Sequence, residues 1–247
     1  MKTKLIVSLM LTVLVFWSCD DNSLAPEGLQ LKMKATTTSS RINSSGRIQS
    51  TGYSFEQAMI GVRKFEFETT EDDDLVDDSN EVEFEGSYVV DLIAGTSNPE
   101  FVNGKLLPGF YEEFEIELGK TLANGNSVFI VFKYKPAEGD SVTVEFSSKT
   151  SLEFEYEDDN GFEIQEGSLK NFLVLFNLDV LFTGVDLSKA TVSADGIIRI
   201  NDTTNTALAN IVKNNFEDSC KGGEDDDDDD DIDDDDSDDD DDDDDNG

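Results

Sequence analysis

The 247-residue sequence predicts a mainly β protein: an antiparallel β-sandwich with one C-terminal helix and a disordered acidic tail. Apolar and polar residues alternate with a period of two in 113–118, 142–147 and 152–157, as in strands with one buried face. The segments Val128–Phe132 and Phe172–Phe176 are apolar on both faces and therefore predict central strands. Asn-Gly turns between such segments have hairpin-like spacing, which favours antiparallel pairing.

Two further elements complete this prediction. In Ile60–Phe67 the alternation changes parity between Val62 and Phe65, which indicates a β-bulge. Near the other end, Asp202-Thr203 begins a segment that runs to about Phe216 and is apolar on one helical face. We therefore expect one capped helix to cover the sandwich.

The first eighteen residues predict a signal peptide. Lys2 and Lys4 precede a mostly apolar stretch, Leu5–Trp17, which is shorter than the roughly 20 residues of a membrane span. The following Ser18-Cys19 resembles the bacterial lipobox, which implies cleavage between these two residues and acyl chains on Cys19. An ordinary secretory signal with a chance cysteine, or an uncleaved anchor, remains the alternative.

The acidic pair Asp20-Asp21 behind this cysteine resembles the export signal of some Gram-negative surface lipoproteins. The resemblance implies a lipid-anchored protein of the outer membrane that faces the exterior. In other Gram-negative groups, aspartate at this position implies retention at the inner membrane.

Composition divides the remaining chain into three segments. Residues 19–55 predict a lipid-anchored flexible tether, because 28–55 is rich in Ser and Thr and holds four basic residues and no acid. Residues 56–218 predict the β-sandwich domain, whose length is ample for one hydrophobic core. Residues 219–247 predict the disordered polyaspartate tail.

Three short motifs of the central segment resemble a known pattern: Gly61-Val62, Val90-Asp91-Leu92 and Leu107-Pro108-Gly109-Phe110-Tyr111. They are similar to the GV strand, V-D-L strand and L-P-x-G-x-Y entry of an uncharacterised domain-of-unknown-function family of Gram-negative bacterial lipoproteins. The resemblance covers roughly 56–200 and implies a transthyretin-like or carbohydrate-binding-like sandwich. It implies no catalytic residues.

Composition argues against several classes of function. The formal net charge is −39, which disfavours nucleic acid as a partner, and the absence of histidine excludes His-dependent catalysis and His-ligated metals. Catalytic carboxylic acids need apolar surroundings, and the glutamates that alternate with apolar residues are expected to face water. Outside these alternating segments, Asp91 and Asp179 are the acids that stand among apolar residues in a strand-like segment. We therefore expect a protein that is not an enzyme.

The acidic tail predicts weak binding of divalent cations such as Ca²⁺, because carboxylate oxygens are the ligands that hard cations prefer. An electrostatic contact with a basic protein, or a purely solubilising brush, are the alternatives. The expected ligands are Asp225, Asp226, Asp227, Asp228, Asp229, Asp230, Asp231, Asp233, Asp234, Asp235, Asp236, Asp238, Asp239, Asp240, Asp241, Asp242, Asp243, Asp244 and Asp245.

A second acidic segment offers an alternative metal loop. Asp72, Asp74 and Asp78 have roughly the spacing of a calcium-binding loop, although the glycine that such a loop needs is missing. A solvated hairpin loop explains the same residues.

These observations predict a non-catalytic envelope lipoprotein whose tail holds divalent cations. The alternative is a carbohydrate- or protein-binding accessory lipoprotein, adhesin-like or associated with uptake, whose tail only solubilises it. After cleavage the chain has no tryptophan, the commonest sugar-stacking side chain, which argues against the carbohydrate alternative.

Overall fold

A computed structural model describes residues 28–38, 41–42, 48–49, 52–69, 81–101, 106, 108–136 and 138–224. This part of the chain is mainly β. The strands are β1 (Gly28–Thr36), β2 (Arg41–Ile42), β3 (Ile48–Gln49), β4 (Tyr53–Thr69), β5 (Glu81–Asp91), β6 (Thr96–Asn98), β7 (Gly109–Leu118), β8 (Val128–Tyr134), β9 (Val142–Ser148), β10 (Leu152–Ile164), β11 (Leu169–Asn177), β12 (Ile198–Ile200) and β13 (Cys220–Glu224). The α-helices are α1 (Leu178–Leu181) and α2 (Thr206–Asn214).

The strands form two sheets. The smaller sheet has the order β1-β11-β13, and the larger has the main path β10-β7-β4-β8-β9-β12, with β5 paired to β4. Strand β4 is long enough to pair with β8 through its first half and with β5 and β7 through its second half. Most pairs are antiparallel, as predicted, but β1 with β11 and β12 with β9 are parallel.

Aromatic side chains fill the space between the two sheets. The ring of Phe172, on the smaller sheet, lies 4.7 Å from Phe114 and 5.1 Å from Phe162 of the larger one, measured between centroids. At the other end of the core, Phe182 packs 4.7 Å from Phe132. These contacts place the sheets face to face, which confirms the sandwich.

The prediction of a tether over 19–55 is wrong for Gly28–Thr36, which form β1. Leu29, Leu31, Met33 and Ala35 are buried in the core and alternate with polar residues. The apolar area of this period-two pattern is removed from water between the sheets, which offsets the entropy of ordering the segment. Residues 19–27 lie outside the described part of the chain.

The predicted boundary of the tail at residue 219 is also wrong, because Cys220–Glu224 form β13 at the edge of the smaller sheet. Gly222 lies against the core, where a β-carbon would stand 3.2 Å from the ring of Phe172. A residue without a side chain therefore lets this strand approach closely. Cys220 is buried as a free thiol.

The predicted helix is present as α2, although it begins after Asn205 rather than at Asp202. Asp202 instead accepts hydrogen bonds from the Lys149 backbone and the Lys213 ammonium group. The apolar segment after Phe176 leaves the sheet because the Asn177 side chain accepts two backbone N–H groups and caps α1. In the described part of the chain, no helix is long and apolar enough to cross a membrane.

Candidate functional site

Ten glutamates and one lysine lie side by side on the outer face of β5, β4, β7 and β10. The apolar residues of these strands point into the core, so the residues between them point away from it. Strand pairing aligns the outward residues in rows across the sheet. The rows are Glu85, Lys64, Glu117 and Glu153; then Glu83, Glu66, Glu115 and Glu155; then Glu68, Glu113 and Glu157. We call these residues, together with Arg63, the glutamate face.

The spacing of the glutamate face makes its charges interact strongly. Neighbouring strands are about 4.8 Å apart, and successive outward residues of one strand are about 6.7 Å apart. Both spacings are shorter than the Debye length of about 8 Å at physiological ionic strength. Like charges directly opposite each other destabilise a sheet, so this face needs compensation by cations or by protons.

Arg63 compensates one end of the glutamate face. The predicted bulge is confirmed, because the register of β4 shifts between Val62 and Lys64. The extra residue of a bulge changes which side of the strand its neighbours occupy, so two consecutive basic residues reach the same face. The Arg63 guanidinium donates to Glu117, with Nε 2.8 Å from Oε1, and to Glu85 at 3.3 Å.

The Lys64 ammonium group lies at the same end of the glutamate face as Arg63 and is more deeply buried. It contacts the buried Glu66 carboxylate and lies 3.3 Å from an oxygen of Glu115. The hydrogen bond with Glu66 raises the pKa of Lys64, so this cation stays charged. The pKa of Glu117 is lowered by its hydrogen bond with Arg63, whereas burial raises the pKa of Glu115 despite its contact with Lys64.

The other end of the glutamate face is crowded with acids. One carboxylate oxygen each of Glu113, Glu155 and Glu157 lies within 4.8 Å of the others. The pKa of Glu113 is raised from 4.5 to about 7. Burial is the largest cause, and repulsion from Glu68, Glu155, Glu157 and Glu115 adds to it. Burial and repulsion by Glu157 also raise the pKa of Glu155. A proton therefore provides part of the compensation that Arg63 and Lys64 provide at the opposite end.

The three carboxylates Glu113, Glu155 and Glu157 have a geometry that suits one hard cation. Ca²⁺ binds oxygen at about 2.3–2.6 Å, so oxygens on opposite sides of the ion are about 4.6–5.2 Å apart. The three oxygens lie within 4.8 Å of one another, so they are close enough for one such ion to contact all three. A bound divalent cation would also displace the proton of Glu113, because positive charge favours the ionised carboxylate.

The residues singled out from the sequence have several outcomes. Ser18 and Cys19, the loop residues Asp72, Asp74 and Asp78, and the tail from Asp225 to Asp245 all lie outside the described part of the chain. Their proposed roles therefore stay predictions.

The two aspartates with apolar sequence neighbours each hold a turn. The Asp91 carboxylate accepts the backbone N–H groups of Ile93 and Ala94, where β5 ends. The Asp179 carboxylate, at the start of α1, accepts the N–H of Thr38 beyond the end of β1. Hydrogen bonds within the fold explain both positions.

The sequence predicted that the acids of 113–117 and 153–157 face water, and the strands place them on the outer face as expected. It did not show that these two sets lie directly beside each other, nor that Glu66, Glu68 and Glu83 extend them. The alternation of apolar residues with Glu in 65–68 and 82–85 is the signal that could have identified the additional strands.

Comparison of the chain with protein-family models, curated proteins and solved structures gave no match. The glutamate face is therefore interpreted from its own geometry.

Proposed function

We propose that this chain is a non-catalytic lipoprotein of the outer membrane surface that binds divalent cations loosely, Ca²⁺ foremost. Cys19 would carry the lipid anchor. The glutamate face and the aspartates of the tail would supply the cation ligands, so the proposal extends the predicted cation-binding role from the tail to the folded domain.

The observation that carries this proposal is the group of Glu113, Glu155 and Glu157. Three carboxylates are held within 4.8 Å of one another on neighbouring strands, so their separation is fixed by the sheet. The raised pKa of Glu113 supports the same conclusion, because burial and then repulsion from Glu68, Glu155 and Glu157 make its ionised form unfavourable without a cation. A divalent cation relieves this repulsion more effectively than a proton on one carboxylate.

The expected affinity is low. Glu155 and Glu157 are exposed and Glu113 is half-buried, so a cation bound there keeps much of its hydration shell. Extracellular calcium modules with few protein ligands bind with dissociation constants of about 0.1–1 mM. We expect the glutamate face to bind in this range.

Calorimetric titration of Ca²⁺ into residues 20–247, which retain every described residue, tests the proposal. A version that ends at Glu224 keeps β13 and removes only the tail. In that version, replacing Glu155 and Glu157 by glutamine should abolish the remaining millimolar uptake. Replacing the exposed Glu163 and Glu166, which lie outside the glutamate face, makes the same charge change and should preserve it.

The same titration has a second readout. At pH 7 Ca²⁺ should release protons from Glu113, and the release should disappear at pH 8.5, where that carboxyl group is already ionised. Absence of Ca²⁺ uptake by the full chain refutes the proposal. Uptake that is unchanged by both tail removal and the Glu155/Glu157 substitutions also refutes it.

A basic peptide or protein is the second candidate ligand, because the glutamate face already binds two cationic side chains of its own. Arg63 and Lys64 together contact four of its glutamates. This candidate would be favoured if a lysine-rich peptide bound the Glu224-terminated version and if the Glu155/Glu157 substitutions abolished that binding. A carbohydrate ligand has less support, since Phe110 is the exposed aromatic side chain among the described residues.

A further inference from the structure

Strand β10 forms an outer edge of the larger sheet. In the described part of the chain it pairs with β7 on one side, and no strand pairs with its other side. The backbone groups on the open side of an edge strand lack the partners that a neighbouring strand would give them. They form a template on which an extended chain can add a further strand.

A hydrogen bond at the end of β7 shows how the backbone of β10 is oriented. Gly119 donates its N–H to the Gly61 carbonyl oxygen at 2.8 Å, so the backbone groups of Gly119 face β4. Successive residues of a strand direct their backbone groups to opposite sides, so those of Leu118 face β10. Leu118 lies opposite Leu152, and these two residues therefore form a hydrogen-bonded pair.

Three glutamates of β10 direct their backbone to the open edge. By the same alternation, the N–H and C=O groups of Glu153, Glu155 and Glu157 point away from β7. All three residues are exposed. Among the described residues, no backbone hydrogen bond outside the named strands and helices reaches them. Each of the three thus offers one donor and one acceptor to an added strand.

The side chains of this edge favour a basic partner. They end the rows of the glutamate face and have no neighbouring strand on their far side within the described residues. Burial raises the pKa of Glu155, and its interactions with Glu157, Glu153 and Glu217 raise it further. Directly opposite residues of antiparallel strands have β-carbons about 4.5–5.5 Å apart. A lysine or arginine of an added strand would therefore stand close enough to offset this repulsion.

Strand β4 shows the same compensation inside the sheet. Arg63 lies on β4 between two acidic strands and forms ion pairs with Glu85 of β5 and Glu117 of β7. Lys64 lies 3.3 Å from an oxygen of Glu115, which is also on β7. A strand with basic residues therefore already neutralises glutamates on its neighbours in this sheet.

A second copy of the chain does not suit the same edge. Antiparallel pairing of β10 with β10 of another copy, centred on Glu155, would place Glu153 of each copy opposite Glu157 of the other. Like charges directly opposite each other destabilise a sheet. The acidic edge thus opposes self-association and is complementary to a basic strand.

We infer that an extended peptide with lysine or arginine at alternate positions adds to β10 as a further antiparallel strand, with its basic side chains opposite Glu153, Glu155 and Glu157. The residues between the basic ones would turn to the inner side of the edge. Leu152 and Tyr156 are half-buried on that side, so apolar residues suit these positions.

This inference develops the basic peptide that is the second candidate ligand of the glutamate face. It does not require Ca²⁺ to bind to Glu113, Glu155 and Glu157. The calcium titration reports on the cation site, whereas backbone pairing at β10 has its own readout, so either idea can fail alone.

Amide hydrogen exchange tests the inference, measured by NMR on residues 20–247 with and without a synthetic peptide. The probe is Thr-Lys-Val-Lys-Val-Lys-Thr, blocked at both ends. At about ten times the dissociation constant of the peptide, exchange of the Glu153, Glu155 and Glu157 amides should slow roughly tenfold. The Phe154 amide, which faces β7, should change little. Peptide that binds only elsewhere on the chain leaves all four amides unchanged.

Two controls separate strand addition from attraction between charges. A peptide with an N-methyl group on the backbone nitrogen of its central lysine keeps every charge and loses one backbone donor, so it should give no protection. Replacing the three β10 glutamates by glutamine should also abolish protection. The matched variant replaces three exposed glutamates elsewhere and should keep it; these are Glu100, Glu138 and Glu166.

Unchanged exchange of the β10 amides at every attainable peptide concentration would overturn the inference. Equal protection by the N-methylated peptide, or protection that survives the loss of the three β10 glutamates, would overturn it as well. Protection that rises with protein concentration in the absence of peptide would assign the edge to a second copy of the chain, contrary to the inference. The amide spectrum shows whether each variant is folded, and the N-methylated peptide requires no substitution in the protein.

Discussion

Replacing Glu113 by glutamine should stabilise the protein at pH 8 and leave its stability nearly unchanged at pH 4. Glutamine keeps the size of the side chain and removes a charge that is unfavourable because it is partly buried and because Glu68, Glu155 and Glu157 repel it. At pH 4 the native carboxyl group is protonated and already uncharged. The substitution therefore increases the free energy of unfolding only at pH values at which the native Glu113 carboxyl group is ionised.

The raised pKa sets the magnitude and the sign. The pKa of Glu113 rises from 4.5 to about 7 on folding, so between these values the folded state binds more protons than the unfolded chain. The contribution of Glu113 to stability is accordingly complete below about pH 4.5 and is lost as the pH rises through 7. One pKa unit corresponds to about 1.4 kcal/mol, and solvent screening of this half-buried group reduces the total to about 1–2 kcal/mol.

Urea unfolding followed by far-UV circular dichroism at pH 4, 6 and 8 measures the effect. The gain of the Glu113→Gln variant should increase steadily with pH. Glu153→Gln is the matched control, because Glu153 pairs with Glu117, whose charge Arg63 already compensates. A gain that is the same at pH 4 and pH 8, or an equal gain in the Glu153 variant, would refute the electrostatic reasoning.

Three further predictions concern the fold. Met33→Ala should lower the free energy of unfolding by about 2–5 kcal/mol in a urea titration, because Met33 is 1% exposed. A loss below about 0.5 kcal/mol would contradict the packing of β1 in the core and would agree with the predicted flexible tether. Gly61→Ala should cost about 1–3 kcal/mol, since its β-carbon would lie 2.7 Å from the Gly119 carbonyl oxygen and against the Thr121 side chain; unchanged stability would contradict this packing. Cys220 should react with a thiol reagent only after unfolding, and rapid reaction in native buffer would show that β13 is not docked.

The strands that have one face in water could be predicted from the sequence, because apolar residues of the buried face alternate with polar residues of the exposed face. In residues 113–117 of β7 and 153–157 of β10 every second residue is a glutamate, and the period is visible without knowledge of the partner strand. Strand β1 has the same signal, with Leu29, Leu31 and Met33 separated by Gln30 and Lys32. The predicted tether rests on the composition of 28–55 as a whole. In that composition the Ser- and Thr-rich residues outweigh the alternation of the nine residues of β1.

Strand β13 could not be predicted in this way. Its sequence, Cys-Lys-Gly-Gly-Glu, has no alternation, and glycine is unfavourable in an isolated strand. It becomes ordered because β11 offers a free edge and because Gly222 fits against Phe172. Both conditions are supplied by residues about fifty positions earlier in the chain, so local patterns do not contain them.

The glutamate face depends on strand register, which is a long-range property. Its rows come from four strands, and the buried aromatic residues set how those strands align, since a slip by one residue would expose them. Phe65 stacks on Phe84, and Phe67 packs 4.7 Å from Phe114, measured between ring centroids. The outward glutamates follow this alignment and gain nothing from standing beside one another.

Packing therefore explains where the glutamates lie, but it does not explain why they are glutamates. Threonine or serine at Glu113, Glu155 and Glu157 would suit an exposed strand face and would avoid both the burial of charge and the repulsion that raise the pKa of Glu113. A local choice that lowers stability without a structural gain is typical of a functional surface. The proposed divalent cation would offset this cost, so the arrangement that is unfavourable in the free protein is the one that would favour such a ligand.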